Sequence, residues 1–143
     1  MTATTTKPDW VEAEFGVDYE DIVKSWGFTV LDLTQCGSYQ GDFVVLLADG
    51  DRRGFTQFGY GSCSGCDVLE AVAPWGDGPD DDWSAVENLR RDMADGIRWY
   101  DSPGDLASYL LALDEGNEWW LHDSEVKGIV SNYIVRLEGE AAK

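Results

Sequence analysis

The residues of this chain best suited to chemistry are two cysteines, Cys63 and Cys66, in a CxxC arrangement. They lie in a segment rich in glycine and serine, residues 59–67, with the sequence GYGSCSGCD. Zinc sites and dithiol redox sites both use this spacing. The residues that follow predict a helix from about residue 67, and a helix N-terminus stabilises a thiolate, which favours either chemistry.

A zinc site in this chain would need two further ligands, because structural zinc is held by four. The sequence offers one more cysteine and a single histidine. The metal or redox set is therefore Cys36, Cys63, Cys66 and His122, at long and irregular separations.

Two other interpretations of the CxxC segment remain open. A thioredoxin-like redox site expects CxxC after a strand of a parallel βαβ unit, whereas a hairpin is predicted here. In the structural interpretation, glycines make a tight strand-to-helix turn and the cysteines fill space as small apolar groups. We expect no cofactor on this interpretation, and zinc on the metal interpretation.

Familiar catalytic patterns are absent from the sequence. The glycine-rich segment lacks the lysine of a P-loop, and no Lys or Arg lies between Gly54 and Arg90, which argues against a nucleotide site. A Ser-His-Asp or Cys-His mechanism would require His122 as its base, and there is no GxSxG motif. We therefore predict no catalytic residues and a non-enzymatic protein, although unpatterned carboxylates neither support nor exclude a small hydrolase.

Two groups of side chains suit contact with a partner protein. Trp119 and Trp120 are adjacent, and aromatic residues are enriched at interface hot spots, although in an alternating segment one of them faces the core. The second group is the acidic run Asp80, Asp81 and Asp82. Consecutive carboxylates rarely converge on one cation, so the alternative interpretation is a solvated loop that caps the next helix.

The net charge limits the classes of partner. Twenty-eight Asp and Glu against ten Lys and Arg give a formal charge of −18 over 143 residues. Negative potential repels phosphates and anionic lipids, so we expect a basic protein partner rather than direct contact with nucleic acid or a membrane. High-GC codon usage or adaptation to high salt would also produce this composition without any role in binding.

The compartment and the state of the thiols follow from other features of the sequence. No apolar run approaches the ~20 residues of a membrane span, and no hydrophobic signal segment follows residues 1–7. Three cysteines is an odd number, which disfavours a disulfide framework. We expect a cytoplasmic protein with free thiols.

The first half of the chain predicts one helix and a meander of strands. Apolar residues at helical spacing predict a helix over residues 18–26, ended by Gly27, and Pro8 suggests a short helix before it. Strands are predicted at residues 28–33, 43–48 and 55–60, the second as an interior strand because its apolar run is continuous.

The second half predicts mainly helices. They are expected at residues 67–72, from residue 81 or 82 to about 99, at 102–116, and from residue 123 or 124 onward, with a short edge strand at 118–122 between the last two. Seven Trp, six Tyr and five Phe supply the core. These elements predict an α+β fold, with a small antiparallel sheet of three or four strands and helices on one face. We expect a single domain over residues 1–143, with a disordered tail at 1–7 and an acidic loop at 76–82.

Three stretches of the sequence carry a resemblance. Residues 41–51, the cysteine segment at 59–67 and residues 97–102 together resemble small uncharacterised acidic proteins of actinobacteria and their phages. The resemblance covers roughly residues 28–135 and implies a cytoplasmic protein, in the host cytoplasm if it is phage-encoded. It implies no activity.

These observations lead to one functional hypothesis and one alternative. The hypothesis is a non-enzymatic acidic interaction or inhibitor protein, such as a phage-encoded modulator, that occupies a basic surface on a host protein, in the extreme case by mimicking DNA. The alternative is a CxxC thiol-redox or zinc-binding protein centred on Cys63 and Cys66.

Overall fold

The computed structural model describes residues 7–12, 17–37, 41–61, 67–72, 82–115 and 124–143. These residues form five helices and four strands. In chain order they are α1 (Tyr19–Ser25), β1 (Thr29–Gly37), β2 (Gly41–Asp49), β3 (Arg52–Tyr60), α2 (Val68–Val72), α3 (Ser84–Asp95), β4 (Arg98–Tyr100), α4 (Pro103–Glu115) and α5 (Ser124–Ala141).

The chain divides into two compact units. The first comprises Met1–Gly27 and Tyr60–Gly96 and contains α1, α2 and α3. The second comprises Phe28–Gly59 and Ile97–Lys143 and contains the sheet with α4 and α5. A single domain over the whole chain stays a prediction.

The sheet confirms the predicted α+β class. Its four antiparallel strands follow chain order, β1-β2-β3-β4, so the predicted meander over residues 28–60 gains a fourth strand. In β2, the side chains of Val44, Val45, Leu46 and Leu47 are fully buried, as expected for an interior strand with a continuous apolar run.

The helices α4 and α5 pack on one face of this sheet. Side chains of alternate strand residues, such as Val44 and Leu46, meet apolar side chains of both helices. The predicted apolar stripe of α5 is confirmed, because five of its six residues are buried and Ile129 packs partly buried against them. The five are Val126, Val130, Tyr133, Ile134 and Leu137.

The starts and ends of several helices follow local signals. The Ser102 hydroxyl accepts a hydrogen bond from the Asp105 amide at 3.2 Å, and Pro103 is the first residue of α4, as predicted. Helix α1 ends before Gly27, which adopts φ +82°, the left-handed conformation that glycine accepts at a helix C-terminus.

Two helix predictions are wrong in part. The segment at Pro8 forms a single turn, closed by a 3.1 Å bond from the Val11 amide to the Pro8 carbonyl, because one turn does not repay the entropy of helix nucleation. The helix predicted to reach about residue 99 ends at Asp95. Residues Arg98–Tyr100 instead pair with β3 as strand β4.

The reason for the second error is the packing of Trp99 on Gly54. These two residues are opposite each other in the β3–β4 pair, and a Cβ atom on Gly54 would lie 2.9 Å from the Trp99 ring. The ring of Phe28 contacts the same indole with centroids 4.7 Å apart, and the Arg52 guanidinium lies 4.5 Å from the ring centroid. These tertiary contacts outweigh the helical periodicity of residues 97–99.

A partly buried ion pair joins the β2–β3 hairpin to the end of α5. Arg53 donates to Glu140 Oε2 from Nη2 at 2.6 Å and from Nε at 3.0 Å. Its Nη1 also donates to the Gly50 carbonyl at 2.7 Å. One guanidinium therefore stabilises both the hairpin turn and its contact with α5.

Some predicted features lie outside the described residues. They are the edge strand at residues 118–122, the tail at 1–7 apart from Lys7, and the acidic loop at 76–82 apart from Asp82. Within the described part of the chain, no helix has both the length and the apolar character needed to span a bilayer.

The contact between Trp99 and Gly54 can be tested by adding one methyl group. We expect Gly54→Ala to lower the free energy of unfolding by about 1 to 3 kcal/mol, because the new Cβ overlaps the indole. The matched control is Gly128→Ala in α5, where an added Cβ has no atom within 4 Å. The control should be neutral or stabilising by up to about 1 kcal/mol. Urea denaturation of both variants measures the difference, and equal stabilities would contradict this account of β4.

Candidate functional site

Most of the side chains proposed from the sequence lie outside the described residues. They are Cys63, Cys66, Asp80, Asp81, Trp119, Trp120 and His122. Their roles as metal, redox or partner-binding residues therefore stay predictions. Two members of the proposed sets, Asp82 and Cys36, do lie within the described part of the chain.

Asp82 is exposed and precedes α3. Its Oδ1 accepts a hydrogen bond from the Ser84 amide at 2.9 Å, and Ser84 is the first residue of the helix. The carboxylate therefore satisfies one of the free amides at the helix start, where the helix dipole also favours a negative charge. This contact agrees with the capping role weighed for the acidic run.

Cys36 is a core residue of the second unit. Its side chain is 1% exposed, in the cluster formed by the sheet, α4 and α5. Within the described ranges, no three Cys, His, Asp or Glu side chains are grouped as metal ligands. Burial among apolar side chains is the environment of a space-filling cysteine.

Asp67, which the sequence analysis did not single out, closes the cysteine segment. Its Oδ2 accepts a 2.9 Å hydrogen bond from the amide of Gly61, on the other side of the CxxC residues. Its Oδ1 accepts bonds from the amides of Leu69 at 2.9 Å and Glu70 at 3.1 Å, at the start of α2. One carboxylate thus joins the two ends of the segment and begins the helix that follows.

The hydroxyl of Tyr19 completes the environment of Asp67. It donates to Asp67 Oδ1 at 2.7 Å, from helix α1 of the same unit. Burial raises the pKa of Tyr19 well above 10.0, and its hydrogen bond to the carboxylate raises the pKa further. Nearby, Glu70 Oε2 is buried with no hydrogen-bond partner among the described residues.

A second carboxylate cluster, centred on half-buried Asp32, lies in the second unit. Asp32 Oδ2 accepts hydrogen bonds from the hydroxyls of Tyr133 at 2.5 Å and Thr34 at 2.7 Å. The Tyr133 oxygen also lies 3.0 Å from the carbonyl oxygen of Val44. Burial and the Asp32 carboxylate raise the pKa of Tyr133 well above 10.0. Asp32 lies on β1 and Tyr133 on α5, so the hydrogen bond between them holds β1 to α5.

Arg90, on α3, contacts both α1 and the N-terminal turn of the first unit. Its Nε donates to Ser25 Oγ at 2.6 Å and its Nη2 to the Ser25 carbonyl at 2.9 Å, at the C-terminal end of α1. The guanidinium lies 5.4 Å from the ring centroid of Trp10. Trp10 in turn donates to Glu87 Oε1 at 2.9 Å. Arg90 therefore holds α1, α3 and the N-terminal turn to one another, and its charge is used inside the unit.

The surface of the first unit is rich in carboxylates. Seven of its Asp and Glu side chains are exposed among the described residues: Asp9, Glu12, Asp18, Glu20, Asp82, Asp92 and Asp95. The whole unit has fifteen Asp and Glu and four Lys and Arg, a formal charge of −11. An excess of surface carboxylates produces a negative potential that attracts cationic groups.

Comparisons with protein-family models, with curated proteins and with solved structures found no match for this chain.

The two buried tyrosines give a prediction for alkaline pH. Their folded pKa values lie above the unfolded value of 10.0, so their hydroxyls release protons more readily in the unfolded chain. The stability that they contribute is complete below pH 10.0 and is lost as the pH rises above that value. We expect Tyr133→Phe to make the fall in unfolding free energy above this pH less steep.

Absorbance at the tyrosinate band measures the ionisation of the two tyrosines directly. The difference between the titrations of the native protein and of Tyr133→Phe isolates one tyrosine, and Tyr19→Phe isolates the other. Both difference curves should have midpoints above 10.0. A midpoint at or below that value would show that the hydroxyl is neither buried nor bonded to the carboxylate in solution.

Proposed function

We propose that this chain is a non-enzymatic acidic protein that binds a basic surface on a partner protein in the cytoplasm. The observation that supports the proposal is that carboxylates of the first unit are exposed to solvent while cations of the same unit are engaged in contacts within it. Seven carboxylates of its described residues are exposed, whereas Lys24 and Arg90 are engaged with side chains of the same unit.

Lys24 and Arg90 each contact an acidic side chain of the first unit. The Lys24 ammonium lies 2.8 Å from Glu20 one helical turn away in α1. Arg90 bonds to Ser25 and lies 3.6 Å from Glu87. Each of these two cations pairs with one carboxylate, Glu20 or Glu87, and the exposed carboxylates of the described residues give the unit a surface that attracts a cationic partner. Complementary charge mainly increases the rate of association and the discrimination among partners.

In its extreme form the proposal is mimicry of DNA. Rows of carboxylates would then take the place of phosphates at a partner's nucleic-acid-binding surface. A modulator of this kind, encoded by a phage and directed at a host protein, agrees with the resemblance noted above. Binding of this form would be displaced by duplex DNA, because both ligands use the same cationic side chains.

The test uses the full chain as bait in a lysate, with elution from about 50 to about 500 mM salt. We expect a basic protein to be retained at low salt and released as salt rises. The variant Glu12→Gln, Asp92→Asn, Asp95→Asn removes three exposed carboxylates of the first unit. With the retained protein purified, we expect its affinity for this variant to fall by about tenfold or more.

The matched control removes the same charge from the second unit. It is Asp51→Asn, Asp101→Asn, Glu138→Gln, three exposed carboxylates. This variant should bind as the native protein does. Equal weakening of both variants would mean that only net charge matters, and the absence of any salt-sensitive basic partner would contradict the proposal. Competition by duplex DNA separates mimicry from simple charge attraction.

A second candidate function is thiol or zinc chemistry at Cys63 and Cys66. The observation that favours it is the closure of their segment by Asp67, which joins Gly61 to the start of α2. The hydrogen bond between Gly61 and Asp67 closes a short loop of chain, and Cys63 and Cys66 lie between these two residues in the sequence.

Elemental analysis and thiol titration test the second candidate. If it holds, we expect one bound zinc per chain, or two thiols that form a disulfide with oxidised glutathione while glutathione is reduced. Cys63→Ser and Cys66→Ser should each abolish this behaviour, whereas Cys36→Ser should leave the formation of the disulfide unchanged. Native protein that contains no zinc and has thiols of ordinary reactivity would eliminate this function.

A further inference from the structure

A groove in the second unit lies beside the C-terminal half of α5. Its volume is about 490 Å³, and it is lined by Leu31, Val135, Arg136, Gly139, Glu140 and Lys143. We call it the α5 groove. This volume is in the range of small-molecule sites, which is roughly 300 to 1,000 Å³.

One wall of the α5 groove is apolar. Val135 is 70% exposed on α5, the largest exposure among the large apolar side chains of the described residues. Gly139 has no side chain to cover the helix backbone, and an added Cβ there would have open space around it, with no atom within 4 Å. Leu31 lies opposite, where the β1–β2 register is interrupted between Val30 and Asp32. Such irregularities redirect side chains and are frequent beside binding sites.

The other side of the α5 groove has positive charge. Arg136 is placed by a 3.0 Å hydrogen bond from its Nη1 to the Leu31 carbonyl, and Lys143 is exposed nearby. The one acidic lining residue, Glu140, has its Oε2 bound by Arg53 at 2.6 Å. Glu140 Oε1 also lies 3.9 Å from Arg136 Nε, so this carboxylate is shared by two guanidinium groups. Arg53, Arg136 and Lys143 together outnumber the one carboxylate, which leaves excess positive charge at the groove in a chain of net charge −18.

We propose that the α5 groove binds an organic carboxylate with a short apolar arm. The carboxylate contacts the Arg136 guanidinium and the Lys143 ammonium, and the arm covers Leu31 and Val135. The occupant follows from the complementarity of the lining: cations attract an anion, while the exposed valine and the bare helix surface gain from apolar contact. The proposal is independent of the proposed function, because all of its residues belong to the second unit.

Three probes with the same six-carbon arm test the charge preference. They are hexanoate, hexan-1-ol and hexylamine, titrated into the full chain and followed by amide chemical shifts. We expect hexanoate to bind with a dissociation constant of the order of 1 mM, hexan-1-ol more weakly, and hexylamine weakest. The shifts should be confined to residues that line or adjoin the α5 groove. Equal response to the three probes, or hexanoate shifts elsewhere, would overturn the proposal.

Two variants and a control assign the contacts. Arg136→Gln should weaken hexanoate binding about tenfold and reduce the preference over hexan-1-ol. Val135→Asp, at an exposed position, should weaken it by at least as much, because it adds a like charge beside the arm. Lys127→Gln removes the same charge as Arg136→Gln from an earlier turn of α5 and should leave binding unchanged. The amide spectrum of each variant shows whether it is folded. Unaltered affinity in folded Arg136→Gln and Val135→Asp, or equal loss in Lys127→Gln, would refute the assignment.

Discussion

The physical constraint on which both units depend is the placement of carboxylates away from water in a chain with few cations. A buried carboxylate is costly unless donors satisfy it, and ten Lys and Arg cannot pair with twenty-eight Asp and Glu. Buried Asp67 and half-buried Asp32 use neutral donors instead. Asp67 receives bonds from the hydroxyl of Tyr19 and from three backbone amides, and Asp32 from the hydroxyls of Tyr133 and Thr34. These neutral hydrogen bonds join elements that apolar packing alone would leave free to shift.

The arginines in turn stabilise junctions between elements. Arg90 holds the end of α1 to α3 and to Trp10, and Arg53 joins the β2–β3 turn to Glu140 of α5. Each guanidinium supplies several donors in a fixed plane, so one side chain satisfies several acceptors at once. Cations used in this way do not neutralise the outer surface. Much of the exposed charge of the first unit is therefore carboxylate, which is why the proposed function depends on a cationic partner.

The two proposed sites use different parts of this charge distribution. The first unit offers carboxylates to a basic protein, and its Asp67 fixes the ends of the segment that carries Cys63 and Cys66. The second unit offers an apolar surface beside Arg136 and Lys143, where Arg53 pairs with the adjacent Glu140. A protein of strongly negative charge can therefore have a local preference for an anion, because salt screens charges beyond about 8 Å.

The sequence by itself determined the features that depend on near neighbours. Ser102 and Pro103 begin α4, Gly27 ends α1, and the apolar runs give the interior strand β2 and the stripe of α5, since capping and periodicity act within a few residues. Tertiary structure decided the rest. Trp99 lies in a strand and not in the predicted helix because its ring packs on Gly54. The donors to Asp67 and Asp32 include tyrosines that are 48 and 101 residues away in the chain. The α5 groove likewise brings Leu31 of β1 beside residues of α5 that are distant in the chain. Such contacts join residues distant in the chain, and residue type and spacing do not specify which of many carboxylates and aromatics will meet.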